Sequence, residues 1–303
     1  MNLVRNHDTN TVLKTPEISR KYLDIPYGTA HKEELLDIYL PETGDGPFPV
    51  LMDIHGGGWF CGVKSSLKFA PVLEGLKRGY AVVSVEFAKS PEWKFPQQVF
   101  DIKAAIRFLK ANAGKYSLDG DRIGLWGVSS GGHLTAMTAV SEGIPELEDA
   151  AGEYLQYSST VQCAAVLYPV INIQKWQKQI MQYGMDPQEI CTNKGSMAGL
   201  LLGDAPNNIP DACAFANPET YIRKQCPPFL IQHGLADDNV PFQQSILFAD
   251  RLEKVIGEEK VILELFPGLG HAVDEFRTPE NTNHILDFFD RYLREGEAHE
   301  ENV

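Results

Sequence analysis

A serine between two glycines is the residue pattern in this sequence that points most directly to chemistry. Residues 127–131 read Gly-Val-Ser-Ser-Gly, so Ser129 has a glycine two positions away on each side. An apolar run ends just before this pattern, and a helix-compatible run begins just after it. At such a turn the central serine is strained and exposed, and a β-carbon on either glycine would clash with neighbouring backbone. The pattern predicts that Ser129, and not Ser130, is a nucleophile, with tight packing of a strand on a helix as the alternative.

A serine hydroxyl is a weak nucleophile at neutral pH, so Ser129 requires a base, which in turns of this kind follows it along the chain. His271 has the most suitable position, because it stands in the glycine-rich loop PGLGH directly after a predicted strand. Four other histidines follow Ser129. His133 lies one turn later in the predicted helix and would point away from Ser129, and His233 precedes the candidate acids. His284 lies in the last amphipathic helix, and His299 lies in the charged tail. We predict His271 as the base; an exposed loop histidine without a role is the alternative.

The orienting acid is expected in the loop after the preceding strand. The run IQHGLADDNVPFQQS places Asp237 and Asp238 there. The prediction favours Asp237 and keeps Asp238 in reserve. Either residue is also a good helix cap, since Asp often opens helices and Pro241 stands at an expected first turn.

A glycine run after another predicted strand offers donors for an oxyanion. Residues 55–59 read HGGGW, and three consecutive glycines leave backbone N–H groups free to point at a ligand. Gly57 and Gly58, together with the N–H of Ser130, are the predicted donors. A phosphate-binding loop is less suitable, because no Lys-Ser or Lys-Thr pair follows the glycines. The residues therefore favour acyl chemistry.

The elements that must position these residues alternate between strands and helices. Near-continuous apolar runs predict buried strands at 49–55, 80–87, 122–128, 163–170, 228–234 and 261–266. Helical patterns separate some of them, at 95–113, 241–257 and 281–295. This order predicts an α/β fold, a mostly parallel sheet flanked by helices. Two alternating segments, 21–28 and 34–42, predict an antiparallel hairpin at the sheet edge.

One long segment interrupts the alternation. Residues 141–225 are polar and too long for a simple connection, which predicts a small cap-like insertion within one domain spanning 1–303. A surface insertion without a role in binding is the alternative. Four aromatic residues are candidates for a pocket wall, with core packing as the other interpretation: Trp59, Phe60, Trp176 and Tyr183. Trp59 is the one predicted to bind substrate.

The composition restricts the classes of partner. With 41 acidic and 27 basic side chains the formal charge is −14, which argues against nucleic-acid binding. The N-terminus lacks the apolar core of a signal peptide, and no run reaches the roughly 18 apolar residues that span a membrane. We expect a cytoplasmic protein. The five cysteines contain no Cys-x-x-Cys pair, so neither disulfides nor a metal site is predicted: Cys61, Cys163, Cys191, Cys213 and Cys226.

The motifs together resemble those of the α/β-hydrolases, over residues 20 to 295. HGGGW, SPEWKFPQQVFDIKAAIRFL, GVSSGGHL, HGLADDNVPFQQS and PGLGH follow the order found in carboxylesterases with a His-Gly-Gly-Gly motif. They are most similar to the branch that includes bacterial bifunctional feruloyl and acetyl-xylan esterases. The resemblance implies catalytic roles for Ser129, Asp237 and His271. One run departs from it: EFAKSPE (86–92) stands where many relatives have Asp-Tyr-Arg-Leu.

The resulting hypothesis is a serine esterase that needs no cofactor. The resemblance implies short-chain acyl or feruloyl esters of carbohydrates, small molecules or oligosaccharides, as substrates. A peptidase or formamidase of the same fold is the alternative within enzymes. A ligand-binding relative without catalysis is the alternative outside them, although every expected catalytic position is filled here.

Overall fold

A computed structural model describes residues 7–182 and 191–294 of the chain. Its eight strands are β1 Lys21–Pro26, β2 Leu35–Tyr39, β3 Phe48–Ile54, β4 Ala81–Val85, β5 Leu118–Val128, β6 Cys163–Leu167, β7 Phe229–Gly234 and β8 Val261–Phe266. They form one sheet in the order β1-β2-β4-β3-β5-β6-β7-β8. Strands β3 to β8 run parallel, while β2 is antiparallel to both β1 and β4. The predicted fold class and edge hairpin are thereby confirmed.

Helices cover both faces of the sheet. Their bounds are α1 His7–Asn10, α2 Ala70–Leu73, α3 Gln97–Ala111, α4 Ala113–Tyr116, α5 Ser130–Val140, α6 Ile173–Gln182, α7 Met197–Leu202, α8 Pro210–Phe215, α9 Gln243–Ile256 and α10 Pro279–Leu293. Side chains of α3, α5 and α9 contribute to one hydrophobic core, and those of α2 and α10 to a second. Within the described residues, none of these helices has the length and apolarity to cross a membrane.

The central strands show why their sequences are continuously apolar. In β3, Val50 and Met52 belong to the first core, whereas Leu51 between them belongs to the second. In β5, Leu125 and Trp126 divide in the same way. Because successive side chains point to opposite faces and both faces are covered, neither face keeps a polar row.

The bounds predicted for the insertion require a correction. The range 141–225 includes β6, which pairs with β5 and β7 in the middle of the sheet. Residues 141–162 only connect α5 to β6, and the long excursion is 168–228, which contains α6, α7 and α8. The apolar run 163–170 itself predicts this strand, so the bounds predicted for the insertion overlap one of the predicted central strands. A role of the excursion as a cap stays a prediction.

Candidate active site

The turn at Ser129 has the strained geometry that the sequence predicts. Ser129 has φ 55° and ψ −123°, between the end of β5 and the start of α5. A β-carbon on Gly131 would lie 2.1 Å from the carbonyl oxygen of Ile54, so only glycine fits this close approach to β3. The Ser129 N–H donates to the Leu167 carbonyl oxygen at 2.9 Å, which ties the turn to β6. The side chain of Ser129 is consequently held at the carboxyl end of the central strand β5 and stays partly exposed.

The structure brings Ser129, His271 and Asp237 together in one chain of hydrogen bonds. Ser129 Oγ lies 2.9 Å from His271 Nε2, and His271 Nδ1 lies 2.7 Å from Asp237 Oδ2. The residues come from the loops after β5, β8 and β7, at one end of the parallel strands. Since a carboxylate only accepts, Nδ1 donates to Asp237 and leaves Nε2 to accept the serine hydroxyl.

Asp237 is buried, and both of its carboxylate oxygens accept hydrogen bonds from the protein, whereas Asp238 is exposed. The Oδ1 atom of Asp237 accepts the N–H groups of Asn239 at 2.9 Å and Val240 at 2.8 Å. Burial alone would raise the pKa of the Asp237 carboxyl, but the electrostatic interaction with His271 and hydrogen bonds from His233 and His271 hold this pKa well below its usual range. Of the two candidate acids, the structure therefore places Asp237 against His271.

The glycine loop after β3 presents unpaired backbone donors beside Ser129. Gly57 has φ 130°, and a β-carbon there would lie 2.1 Å from the carbonyl oxygen of Cys61. Among the residues that the structure describes, the N–H groups of Gly57, Gly58 and Ser130 have no hydrogen-bond acceptor. All three residues line the same cavity as Ser129 and His271. Unpaired donors at this point are suited to a developing negative charge on a bound group.

A buried contact between His55 and Glu86 supports this loop, and Glu86 belongs to the run that departs from the resembled family. His55 Nδ1 lies 2.8 Å from the Gly56 carbonyl oxygen, and His55 Nε2 lies 3.0 Å from Glu86 Oε1. Glu86 also accepts the Lys89 ammonium at 2.7 Å. Burial alone would raise the pKa of Glu86, but the charges and hydrogen bonds of His55 and Lys89 lower it to about 2. In this chain EFAKSPE therefore supplies a carboxylate beneath the glycine loop.

The site opens into a cavity of about 590 Å³, a size typical of small-molecule sites. Its walls are contributed by residues distant in sequence: Thr9, Gly56, Trp59, Lys68, Val128, Tyr168, Val170, Trp176, Met197, Asp238, Asn239, Val240 and Ala272, besides the groups described above. Trp59 and Trp176 meet edge to face with ring centroids 6.3 Å apart. The predicted wall residue Trp59 therefore does border the cavity, Trp176 joins it, and Tyr183 lies outside the described residues.

Sequence reasoning missed several residues of this wall. Thr9 belongs to α1, and the next residue of that helix, Asn10, accepts the Gly62 N–H at 2.9 Å with its side-chain oxygen. Met197 belongs to α7. Tyr168 packs edge to face on the His271 ring, with the ring centroids 5.0 Å apart. No local pattern marked these positions, because each reaches the site through contacts with distant parts of the chain.

Among residues 7–182 and 191–294, one group of three side chains brings potential metal ligands within 4.8 Å of one another: His31, Glu34 and Asp101. These atoms already have protein partners. Asp101 accepts the Ala88 N–H at 2.7 Å and the Gln97 side-chain amide at 2.9 Å, and it lies 3.1 Å from His31 Nε2. The group does not line the cavity of Ser129.

Comparison with known proteins agrees with the geometry. The chain is 29% identical over 256 residues to Esterase LipQ of Mycobacterium tuberculosis, covering 83% of this chain and 57% of LipQ. A bifunctional GH43-CE protein of Bacteroides eggerthii superposes with a TM-score of 0.79 at 32% identity, over 91% of this chain and 38% of that one. A truncated carbohydrate esterase from gut microbiota has the same TM-score at 27% identity, over 94% and 97% of the two chains.

The relatives are named esterases, in agreement with the predicted class of enzyme. The chain spans a little over half the length of the curated relatives that it matches. A protein-family model, BD-FAE, matches residues 36–252 of the 303. That range includes most of β2, all of β3 to β7 and the turn at Ser129, although it ends before His271. The predicted family resemblance is thus confirmed, and this chain belongs to the BD-FAE family.

Proposed function

We propose that this protein is a carboxylic ester hydrolase that works through a serine nucleophile and an acyl-enzyme intermediate. The observation that carries the proposal is the hydrogen-bonded chain from Ser129 through His271 to Asp237, beside three unpaired backbone N–H groups. In the first step His271 Nε2 takes the hydroxyl proton as Ser129 Oγ attacks the ester carbonyl carbon. The carbonyl oxygen becomes an oxyanion, which the N–H groups of Gly57, Gly58 and Ser130 stabilise.

The second half of the reaction reuses the same groups. The protonated His271 gives its proton to the departing alkoxide, which leaves as the alcohol, and Ser129 keeps the acyl group. Water then attacks the acyl carbon while His271 accepts a proton from it, and the carboxylic acid departs as Ser129 regains its hydroxyl proton. Asp237 stays ionised throughout and holds the imidazole in the required tautomer.

The proposed substrates are acetyl or feruloyl esters of carbohydrates. Support comes from the similarity to a carbohydrate esterase and to a bifunctional GH43-CE protein. Trp59 and Trp176 also line the cavity, and because only 1% of each residue is exposed, they shape its wall by packing against each other. A panel that varies the acyl group and the alcohol independently will rank these substrates.

Ser129→Ala tests the mechanism. We expect loss of p-nitrophenyl acetate hydrolysis by at least about four orders of magnitude, because the nucleophile is removed. Wild-type protein should also be labelled at Ser129 by a fluorophosphonate, and the variant should not. Ser141→Ala is the matched control, since Ser141 lies just beyond the other end of α5 and its buried hydroxyl has no hydrogen-bond partner among the described residues. Substantial hydrolysis by Ser129→Ala would refute the proposal.

A further inference from the structure

His133 is a fully buried histidine for which the proposed reaction has no use. It lies on α5 one turn after the nucleophile, and its N–H donates to the Ser129 carbonyl oxygen at 3.1 Å. Its Nδ1 atom lies 3.3 Å from the indole nitrogen of Trp59, and its Nε2 atom lies 2.7 Å from the Ala216 carbonyl oxygen. One imidazole thus joins the glycine loop after β3, the helix behind Ser129 and the excursion between β6 and β7.

The two partners of His133 fix its tautomer. An indole N–H only donates and a carbonyl oxygen only accepts, so Nε2 carries the proton and Nδ1 presents its lone pair to Trp59. Burial lowers the pKa of His133 to about 4, against the opposing effect of the hydrogen bond to Ala216. The ring is therefore neutral at ordinary pH, and both hydrogen bonds are satisfied together.

Trp59 connects this contact to the site. It directly follows Gly58, and its φ of 65° is a conformation that large side chains rarely adopt. Such a backbone persists only where its surroundings hold it. Here the carbonyl oxygen of Trp59 accepts the Ser90 N–H at 2.9 Å, and the indole is fixed by His133 on one side and Trp176 on another. Only 1% of Trp59 is exposed, although the residue lines the cavity.

We propose that His133 is a positioning residue: it holds the indole of Trp59, and through Trp59 it sets the backbone of Gly57 and Gly58. The wall of the cavity and the direction of two proposed oxyanion donors then depend on one buried hydrogen bond. The role assigned to the donors rests on the proposed function, whereas the His133–Trp59–glycine linkage is a property of the fold. The two are therefore testable separately.

Kinetics of four variants test the effect on the site. His133→Phe keeps an aromatic ring but removes both hydrogen bonds, and we expect kcat for p-nitrophenyl acetate to fall by about tenfold to a hundredfold with little change in KM. His133→Asn keeps an amide oxygen for the indole N–H and should return to within about threefold of wild type. Trp59→Phe should match His133→Phe, and the double variant should lose no more than either single variant.

A matched substitution separates this role from general packing in α5. Thr138→Val changes another fully buried residue of the same helix, whose hydroxyl has no hydrogen-bond partner among the described residues. We expect this variant to keep the kcat of wild type. The proposal is wrong if His133→Phe lowers only the melting temperature, if His133→Asn gives no rescue, or if the losses of the two single variants multiply.

An NMR measurement decides the linkage without any turnover. The chain has four tryptophans, and Trp59→Phe identifies the indole N–H signal of Trp59 by its disappearance. In His133→Phe that signal should move upfield and exchange faster with solvent, and the amide signals of Gly57 and Gly58 should shift more than in Thr138→Val. Unchanged signals would overturn the linkage. Wild-type protein that neither hydrolyses esters nor reacts with a fluorophosphonate would refute the proposed function instead, and the NMR result would still stand.

Discussion

The floor and the wall of the cavity are built differently. The floor consists of Ser129, His271, Asp237 and the neighbouring backbone donors, which lie at the ends of the parallel strands β3, β5, β7 and β8. Each of the three side chains has a hydrogen-bond partner within 3 Å. The wall comes from α1, from the loop after β3 and from the excursion 168–228, and it relies mostly on packing. The proposed chemistry therefore depends on local turn geometry, whereas the shape offered to a substrate depends on distant contacts.

The largest expected effect lies in the floor. Asp237→Asn should lower kcat by about 10⁴-fold with KM little changed, because the amide favours the wrong tautomer of His271. Asp238→Asn should cost less than about tenfold, since Asp238 borders the cavity without contacting His271. Steady-state kinetics with p-nitrophenyl acetate will compare the two. Equal losses would remove the distinction between floor and wall at this loop.

A smaller effect is expected at Glu86, which contacts His55 next to the glycine loop. Glu86→Gln keeps the size of the side chain but removes the charge that His55 and Lys89 contact. We expect kcat to fall by between about tenfold and a hundredfold, as the glycine loop loses its charged support. Measurement of kcat and KM will show whether the floor includes this pair. A loss that appears only in KM would assign Glu86 to the wall instead.

The same pair predicts how stability changes with pH. The folded-state pKa of Glu86 is about 2, below the ordinary value of 4.5, so its contribution to stability is present above pH 4.5 and is lost as the pH falls toward 2. Glu86→Gln should therefore show a shallower loss in the free energy of unfolding over that range. Urea unfolding at several pH values will measure it. If the free energy of unfolding falls with pH at the same rate in both proteins, the ionised Glu86 side chain does not stabilise the folded state.

The smallest effect is expected in the wall. Met197→Ala should raise kcat/KM for p-nitrophenyl butyrate relative to acetate by about threefold to tenfold, because the shortened side chain makes room for a longer acyl group. The kcat for acetate should change little, since the substitution leaves the hydrogen bonds of Ser129, His271 and Asp237 in place. Met181→Ala, on the exposed surface of α6, is the control and should leave the ratio as in wild type. A large fall in kcat for acetate would show that wall and floor are coupled at Met197.

The parts of the fold predicted most closely are those with strong local patterns. The apolar runs anticipated all six of the strands from β3 to β8, and the two alternating segments anticipated the hairpin of β1 and β2. The positions of Ser129, Asp237 and His271 followed from turn residues placed after three of those runs, and the structure brings the three together. The bounds predicted for the insertion were less accurate, because they include β6, which the apolar run 163–170 predicts as a strand.

The site residues without a local pattern could not be predicted from the sequence. His133 was expected only to point away from Ser129, yet it contacts Trp59 and Ala216, which lie 74 and 83 residues away in sequence. Thr9 and Met197 border the cavity because of contacts made by α1 and α7. Nothing in the residues next to them distinguishes these positions from ordinary helix residues.

The sequence by itself therefore determined the eight strands, the helices α3, α9 and α10, the turn that exposes Ser129 and the loops that bear His271 and Asp237. These features depend on side-chain periodicity and on glycine at close approaches, both of which act over a few residues. Only the tertiary structure decided which acid meets His271, which residues form the wall and which buried groups support the glycine loop. Those choices depend on packing between segments far apart in the chain, and their free energies exist only once the segments have met.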